Sequence, residues 1–272
     1  MVARWQFIKE TVTGATHLRQ QKPNQDAIRH YETDTLLMIA VADGHGGEKY
    51  THSKLGAQFA VQAAMTVLKN TFKEEADFSL SQIKHLAEND IPKAIVRCWR
   101  DAVDQYCVMH PPLEEKYKYR YFGTTLLTVL ALPRCLVYWQ LGDGDIVTVT
   151  DEALISWPMA ADSRLLGNET TSLYGDKPWL DFRCTFQAIT DAPPPRCILL
   201  ASDGYSNAYA SHADFEQTVV DLVSLIKSEG IQWVRQQLPA WLNEASQKGS
   251  GDDISVGILY NGESEIALAD VA

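Results

Sequence analysis

With 272 residues, 46% of them hydrophobic and seven of them Trp, the chain has material for a large core and reads as a single domain. Its formal charge of −11 excludes non-specific nucleic-acid binding, because one polyanion gains nothing by releasing counterions to meet another. Five cysteines without C-x-x-C spacing, an N-terminus without an apolar leader and apolar runs too short for a bilayer predict a cytoplasmic protein with buried free thiols and no membrane span, disordered at most in the tail ESEIALADVA.

Taken in chain order, RWQFIKETV reads as a strand, and DAIRHYE and TLLMIAVA as a hairpin turned near Thr33 and Asp34. A helix follows in EKYTHSKLGAQFAVQAAMTVLKN, where Ala60, Ala63, Ala64, Val67 and Leu68 keep the three-and-four spacing of one buried face. A second helix is expected from Asp90 as cap and Pro92 in its first turn, burying Ile95, Val96, Trp99, Val103 and Tyr106. From Gly123 the period shortens to that of strands: GTTLLTVLAL, CLVYWQLG, DIVTVT, ALISW, FRCTFQAI and CILLAS. Two more helices, HADFEQTVVDLVSLIKSEG and IQWVRQQLPAWLNEASQ with Pro239 as an expected kink, precede a last strand, ISVGILY. Strand groups separated by helix pairs, without βαβ alternation, predict antiparallel sheets flanked by helices. Residues 157 to 181 lack any period, and an irregular stretch of that length is usually functional.

Four places join an apolar run to a carboxylate beside glycine: AVADGHGG with Asp43, WQLGDGD with Asp143, LLASDGY with Asp203, and SGDDISVGIL with Asp252 and Asp253. Strand ends can bring such acids onto one rim, held by rigid elements. Asp143, between VYWQL and IVTVT, fits an ordinary hairpin turn as well as it fits a metal site. Asp252 and Asp253 fit the start of a strand. The glycines after Asp43 lead into a helix and close no hairpin, and a structural turn has no need of His45. Carboxylates and carbonyls without Cys or His favour a hard cation, Mg²⁺ or Mn²⁺. Two such ions acidify a shared water and hold phosphate oxygens, which requires one acid common to both, and Asp43 is the candidate. GHGGEK is no dinucleotide fingerprint, no P-loop occurs, and KGSGD lacks the first glycine of a nucleophile elbow.

NQDA at 24–27, VADGHGG at 41–47, FGTTLL at 122–127, QLGDGDIVTV at 140–149, LLASDGYSN at 199–207 and GDDISVGIL at 251–259 together resemble the metal-dependent protein serine/threonine phosphatases of type 2C, of bacterial type. The resemblance covers nearly the whole chain. It implies an α+β fold, a four-layer αββα sandwich of two mainly antiparallel sheets flanked by helix pairs, forming one phosphatase domain over 1–272 with a flap-like insertion at about 157–181. By position, Asp43 bridges two Mn²⁺ or Mg²⁺ ions, the Gly44 carbonyl and Asp26 serve one, and Asp203 and Asp252 serve the other. Asp143, with Asp203, matches a third, weaker ion site, and His45 matches the proposed general acid. The implied activity is hydrolysis of phosphoserine and phosphothreonine in proteins, within a signalling system that includes a cognate Ser/Thr kinase.

Two departures accompany the resemblance. Gln25 stands where many members have the first of two acids, and Gln21 where many have a phosphate-binding arginine; Arg19, Lys22 or His17 would then have to meet the phosphate. These departures keep open an alternative, a weak or inactive phosphatase-like module that binds a phosphoprotein or kinase partner. A third reading keeps the metals and takes a small-molecule phosphate.

Overall fold

The computed structural model describes residues 5–73, 78–111, 114–160, 170–190 and 193–262. The tail ESEIALADVA and residues 161–169 of the aperiodic stretch lie outside them. In chain order the described elements are β1 (Trp5–Val12), α1 (Ala15–Arg19), β2 (Ala27–Glu32), β3 (Leu37–Ala42), α2 (Ser53–Thr71), α3 (Leu80–His85), α4 (Ile91–Met109), α5 (Lys118–Tyr121), β4 (Leu126–Ala131), β5 (Cys135–Leu141), β6 (Asp145–Val149), β7 (Ile155–Ser156), β8 (Arg183–Ala188), β9 (Cys197–Ala201), α6 (Asp203–Ser206), α7 (His212–Glu229), α8 (Ile231–Lys248) and β10 (Ile254–Asn261).

The strands form two antiparallel sheets, ordered β1-β10-β9-β6-β7 and β2-β3-β4-β5-β8. Alternation along the strands explains the layering. Leu37, Ile39 and Val41 of β3 point into the space between the sheets, where they meet Ile198 and Leu200 of β9, while Met38, Ala40 and Ala42 point outward against α2 and α4. On the other side Leu199, Val256 and Ile258 meet Phe215, Val219 and Leu242 of α7 and α8. Because both faces of the central strands are covered, they appear in sequence as unbroken apolar runs, and each fully buried Leu or Ile contributes about 1.5–3 kcal/mol. The result is the expected αββα sandwich, three apolar layers thick.

The hairpin at Thr33 is present, closed by the Thr33 N–H donating to the Leu36 carbonyl at 2.8 Å. Three expectations need correction. The second helical stretch does not start at Asp90: a capping box at Ser79 and Gln82 begins α3, and a single wide turn, Leu86–Asp90, carries the chain into α4. Pro92 has no N–H to give and crowds the preceding turn, and the wide turn, in which the Ile91 N–H reaches back to the Leu86 carbonyl, relieves that crowding. ALISW yields only the two-residue β7. Finally, β5 and β6 lie in different sheets, so Asp143 closes no hairpin; its loop carries the chain from one sheet to the other. The last helix, α8, runs on through Pro239. No described helix is long and apolar enough to cross a membrane, and all five cysteines are free.

Candidate metal centre

Four acids reach one end of the sandwich for reasons of register. Ala27 pairs with Ala42, so Asp26, just before β2, and Asp43, just after β3, leave one sheet side by side. On the other sheet Asp203 follows β9 and Asp252 precedes β10. Those two strands stay together past their ladder because the Ser202 N–H donates to the Ser255 carbonyl at 3.0 Å and the Ser255 N–H to Ser202 Oγ at 2.9 Å. Ser202 Oγ then donates to Asp26 Oδ2 at 2.7 Å, joining the two sheets at their rim. Gly204 permits the close approach: a Cβ there would stand 2.1 Å from the Asp253 carbonyl oxygen.

Asp43 is fixed by its backbone, which leaves its carboxylate for other work. Its N–H donates to Thr125 Oγ1 at 3.0 Å, and its carbonyl accepts from Thr124 Oγ1 at 2.7 Å and the Thr125 N–H at 2.9 Å. Gly44 sits opposite Thr124 at the unbonded position of this pairing, and among the described residues no backbone hydrogen bond ends on its carbonyl oxygen. A Cβ at Gly44 would come within 2.6 Å of the Gln25 carbonyl oxygen and 2.7 Å of that of Ser53.

The electrostatics of the nest are one-sided. Burial, then the charges of Asp26, Asp203 and Asp252 together with a hydrogen bond to Asp203, hold the Asp43 carboxyl well above the usual range. Burial raises Asp26 too, with Asp253 and Asp252 adding to it against the Ser202 hydrogen bond. Asp203 is likewise raised, chiefly by burial, and Asp252 is raised by its partial desolvation although its side chain still reaches solvent. Among the described residues only His17, which lies by Asp252, brings any positive charge to these carboxylates, and carboxylates with a backbone carbonyl are the donor types of a hard divalent ion, so the residues present suit Mn²⁺ or Mg²⁺. Asp143 is exposed between Gly142 and Gly144 and adds its charge to that felt by Asp203. Asp145, for which the sequence offered no role, is pushed up to about 6 by burial, and its buried Oδ2 has no hydrogen-bond partner among the described residues.

Asp253 has a different use. It is buried, and its oxygens accept from the Gly14 N–H at 2.6 Å, the Gln25 N–H at 2.6 Å and His17 Nδ1 at 2.9 Å, tying α1 with its cap and the stretch before β2 to the start of β10. His17, Asp252 and Asp253 also offer one donor atom each within 4.8 Å of one another. Of the phosphate-binding candidates, His17 therefore has one ring nitrogen engaged, Arg19 gives a guanidinium nitrogen to Thr16 Oγ1 at 2.9 Å, and Lys22 is exposed. Gln25 donates through Nε2 to Ser53 Oγ at 2.7 Å.

His45 lies beside the nest, its N–H donating to the Gly123 carbonyl at 3.1 Å. The rings of Tyr50 and Tyr174 meet it edge-on, with centroids 5.0 and 6.1 Å away. Burial, and secondarily Lys49, lowers its imidazole to about 4. Tyr174 comes from the described part of the aperiodic stretch. That segment is fastened by Ser172 Oγ, which accepts from the Thr124 N–H and donates to the Thr124 carbonyl, and by Arg100, which donates to the carbonyls of Gly175 and Asp176. Neither tyrosine was legible as a site residue, since nothing in the sequence brings position 174 to position 45.

The protein phosphatase 2C family model matches residues 13–243. Solved structures share the fold at low identity. They include the serine/threonine phosphatase Stp1 from Staphylococcus aureus, 18% identical with a TM-score of 0.63 and covering 97% of this chain and 96% of that one, and the Mycobacterium tuberculosis serine/threonine phosphatase PstP/Ppp, 18% identical at 0.60, covering 95% and 99%. The catalytic domain of the phosphatase PstP in complex with two manganese ions is 20% identical at 0.58, covering 94% and 97%. No curated protein matches the sequence. A family match across most of the chain, on a fold that gathers its acids at one rim, makes this protein a member of the protein phosphatase 2C family of serine/threonine phosphatases.

Proposed function

We propose that the acids around Asp43 hold two Mn²⁺ or Mg²⁺ ions and that the protein hydrolyses phosphoserine and phosphothreonine in protein substrates. Asp43 would be shared, the Gly44 carbonyl and Asp26 would complete one site, and Asp203 and Asp252 the other; Asp143 with Asp203 offers a weaker third position. Bound there, the ions would supply acidification of water and charge neutralisation of the phosphate oxygens. In the reaction a water molecule gives up a proton to solvent as its oxygen bonds to phosphorus, the bond to the Ser or Thr oxygen breaks with its electron pair, and that oxygen takes a proton. In this reading His45 gives it. Its low affinity for protons leaves the free ring neutral near pH 7, so a phosphate dianion beside it must raise it for donation. Such a positioned acid is worth roughly 10²–10⁴-fold.

The observation that carries this reading is the carboxylate nest itself, since four acids raised by burial and mutual repulsion are costly unless a cation neutralises them. Turnover of p-nitrophenyl phosphate and of a phosphothreonine peptide with Mn²⁺ tests it. No turnover by metal-replete protein, or full activity in Asp43→Asn, would refute it. Free cysteines suit a reducing cytoplasm, and the phosphoprotein would come from a cognate kinase.

A second reading, a module that binds phosphoprotein without cleaving it, draws on Gln25, whose amide is spent on Ser53. Calorimetric titration separates the two: no ion bound more tightly than millimolar favours the module.

A further inference from the structure

The tyrosine-covered end of the site holds two cations that the chemistry above does not use. Lys49 is exposed just past the glycine turn, its Nζ 5.0 Å from the centre of the Tyr50 ring. Arg120, in α5, stacks its guanidinium 4.3 Å from the centre of the Tyr117 ring, and its buried Nε–H has no hydrogen-bond partner among the described residues. The two segments abut, because the His52 N–H donates to the Tyr121 carbonyl at 2.8 Å and the His45 N–H to that of Gly123. Tyr174 connects them: its hydroxyl is 3.4 Å from that of Tyr50, and both cations act on it electrostatically.

Neighbouring cations are committed elsewhere. Lys118 bridges Asp104 at 3.0 Å and Glu115 at 2.8 Å, and Arg100 holds two backbone carbonyls. Among the described residues, neither Lys49 nor Arg120 forms an ion pair. Two cations without an acid partner beside the candidate reactive centre suit a ligand that brings its own negative charge. The Tyr174 centroid is 6.1 Å from that of His45, about the span of two residues of extended chain at ~3.3 Å each. A residue flanking the phosphoresidue would reach the rim while the phosphate itself occupied the acid nest.

We propose that Lys49 and Arg120 form an anion-binding rim that selects phosphopeptides carrying an acidic residue within two positions of the phosphoresidue. The proposal rests on the phosphatase reading and deepens it by naming the substrate class. Rim charges of this kind act chiefly on encounter and discrimination and fade with salt.

The test compares phosphothreonine peptides flanked by Glu, Ala or Lys, with p-nitrophenyl phosphate beside them, using the full chain and Mn²⁺. At about 50 mM salt the Glu-flanked peptide should exceed the Lys-flanked one about tenfold in kcat/KM, with the ratio approaching one near 1 M salt. The double reversal Lys49→Glu with Arg120→Glu should invert the order. Equal kcat/KM for the three peptides, or an order that survives reversal, overturns the rim. So does a reversal that lowers p-nitrophenyl phosphate turnover as much as that of the Glu peptide, since the cations would then be meeting the phosphate itself. Equilibrium binding of the same peptides by fluorescence anisotropy keeps the two readings apart. Tight, salt-sensitive preference for the Glu peptide without any turnover would leave the rim standing and remove the phosphatase, whereas no preference in binding removes the rim.

Discussion

Asp253→Ala should loosen the turn after β1 and the stretch leading into β2 from the start of β10. Asp253 is 3% exposed and accepts three hydrogen bonds from segments more than two hundred residues away in sequence. The Gly14 N–H is sealed from water and, left without an acceptor, costs about 2 kcal/mol; the half-covered Gln25 N–H costs about 1 kcal/mol, and the His17 ring, which reaches solvent, adds little. The loss of about 3 kcal/mol should lower the midpoint of thermal unfolding by about 6–12 °C in a chain of this size. Asp253→Asn keeps one acceptor oxygen and loses the other, so it should cost about 1 kcal/mol. Urea titration of both variants in metal-free buffer measures this without involving the neighbouring Asp252. If Ala and Asn were equally harmful, or both stayed within ~0.5 kcal/mol of the parent, the side chain would not be the tie described.

Gly204→Ala forces a Cβ to 2.1 Å from the Asp253 carbonyl oxygen, so β9 and β10 must separate at the rim; about 1–3 kcal/mol of stability should go, and Mn²⁺ affinity with it, read by calorimetry. In metal-free protein Asp26, Asp43, Asp203 and Asp252 keep protons that the unfolded chain would release, so stability should fall as pH rises above 3.8. Saturating Mn²⁺ should flatten that slope, add about 2.7 kcal/mol at a hundredfold excess over Kd and release protons on binding; identical pH profiles with and without metal would count against the nest as a cation site. His45→Ala should slow hydrolysis of alkyl phosphates by roughly 10²–10⁴-fold and of p-nitrophenyl phosphate far less, because nitrophenolate leaves without a proton; equal losses would remove the acid role. Burial pushes the thiol of Cys197 up to about 12 and seals it from solvent, so a thiol reagent near neutral pH should reach it only after unfolding.

The alternation that builds the layers could be read directly from the chain, because a strand buried on both faces must be apolar throughout. Asp43, Asp203 and Asp252 were legible for a related reason, since a charge next to glycine at the tip of an apolar run has no packing role, whereas Asp26 came only with the family resemblance. What the sequence could not disclose is what depends on pairing between distant segments. Asp143 sat between two strand-like runs and looked like a turn, yet those runs belong to opposite sheets. Asp253 resembled a strand-opening residue equivalent to Asp252, and only the approach of Gly14 and Gln25 gives it a separate duty. The wide turn at Leu86–Asp90 was hidden because Asp90 before Pro92 imitates a helix start, whereas the preceding turns supply the actual beginning at Ser79. Tyr174 was invisible because its partner is His45, from another part of the chain.

Asp26 and Asp43 leave one sheet while Asp203 and Asp252 leave the other, so an ion shared among them would be a cross-link as much as a reagent. It would stitch residues near both termini into one closed ring of chain, limiting the freedom of the unfolded ensemble as a staple does, by an amount that grows slowly with the length enclosed. Chelation would then loosen the edges of the sandwich first at the seam between the sheets, while the helix-covered outer faces kept their packing.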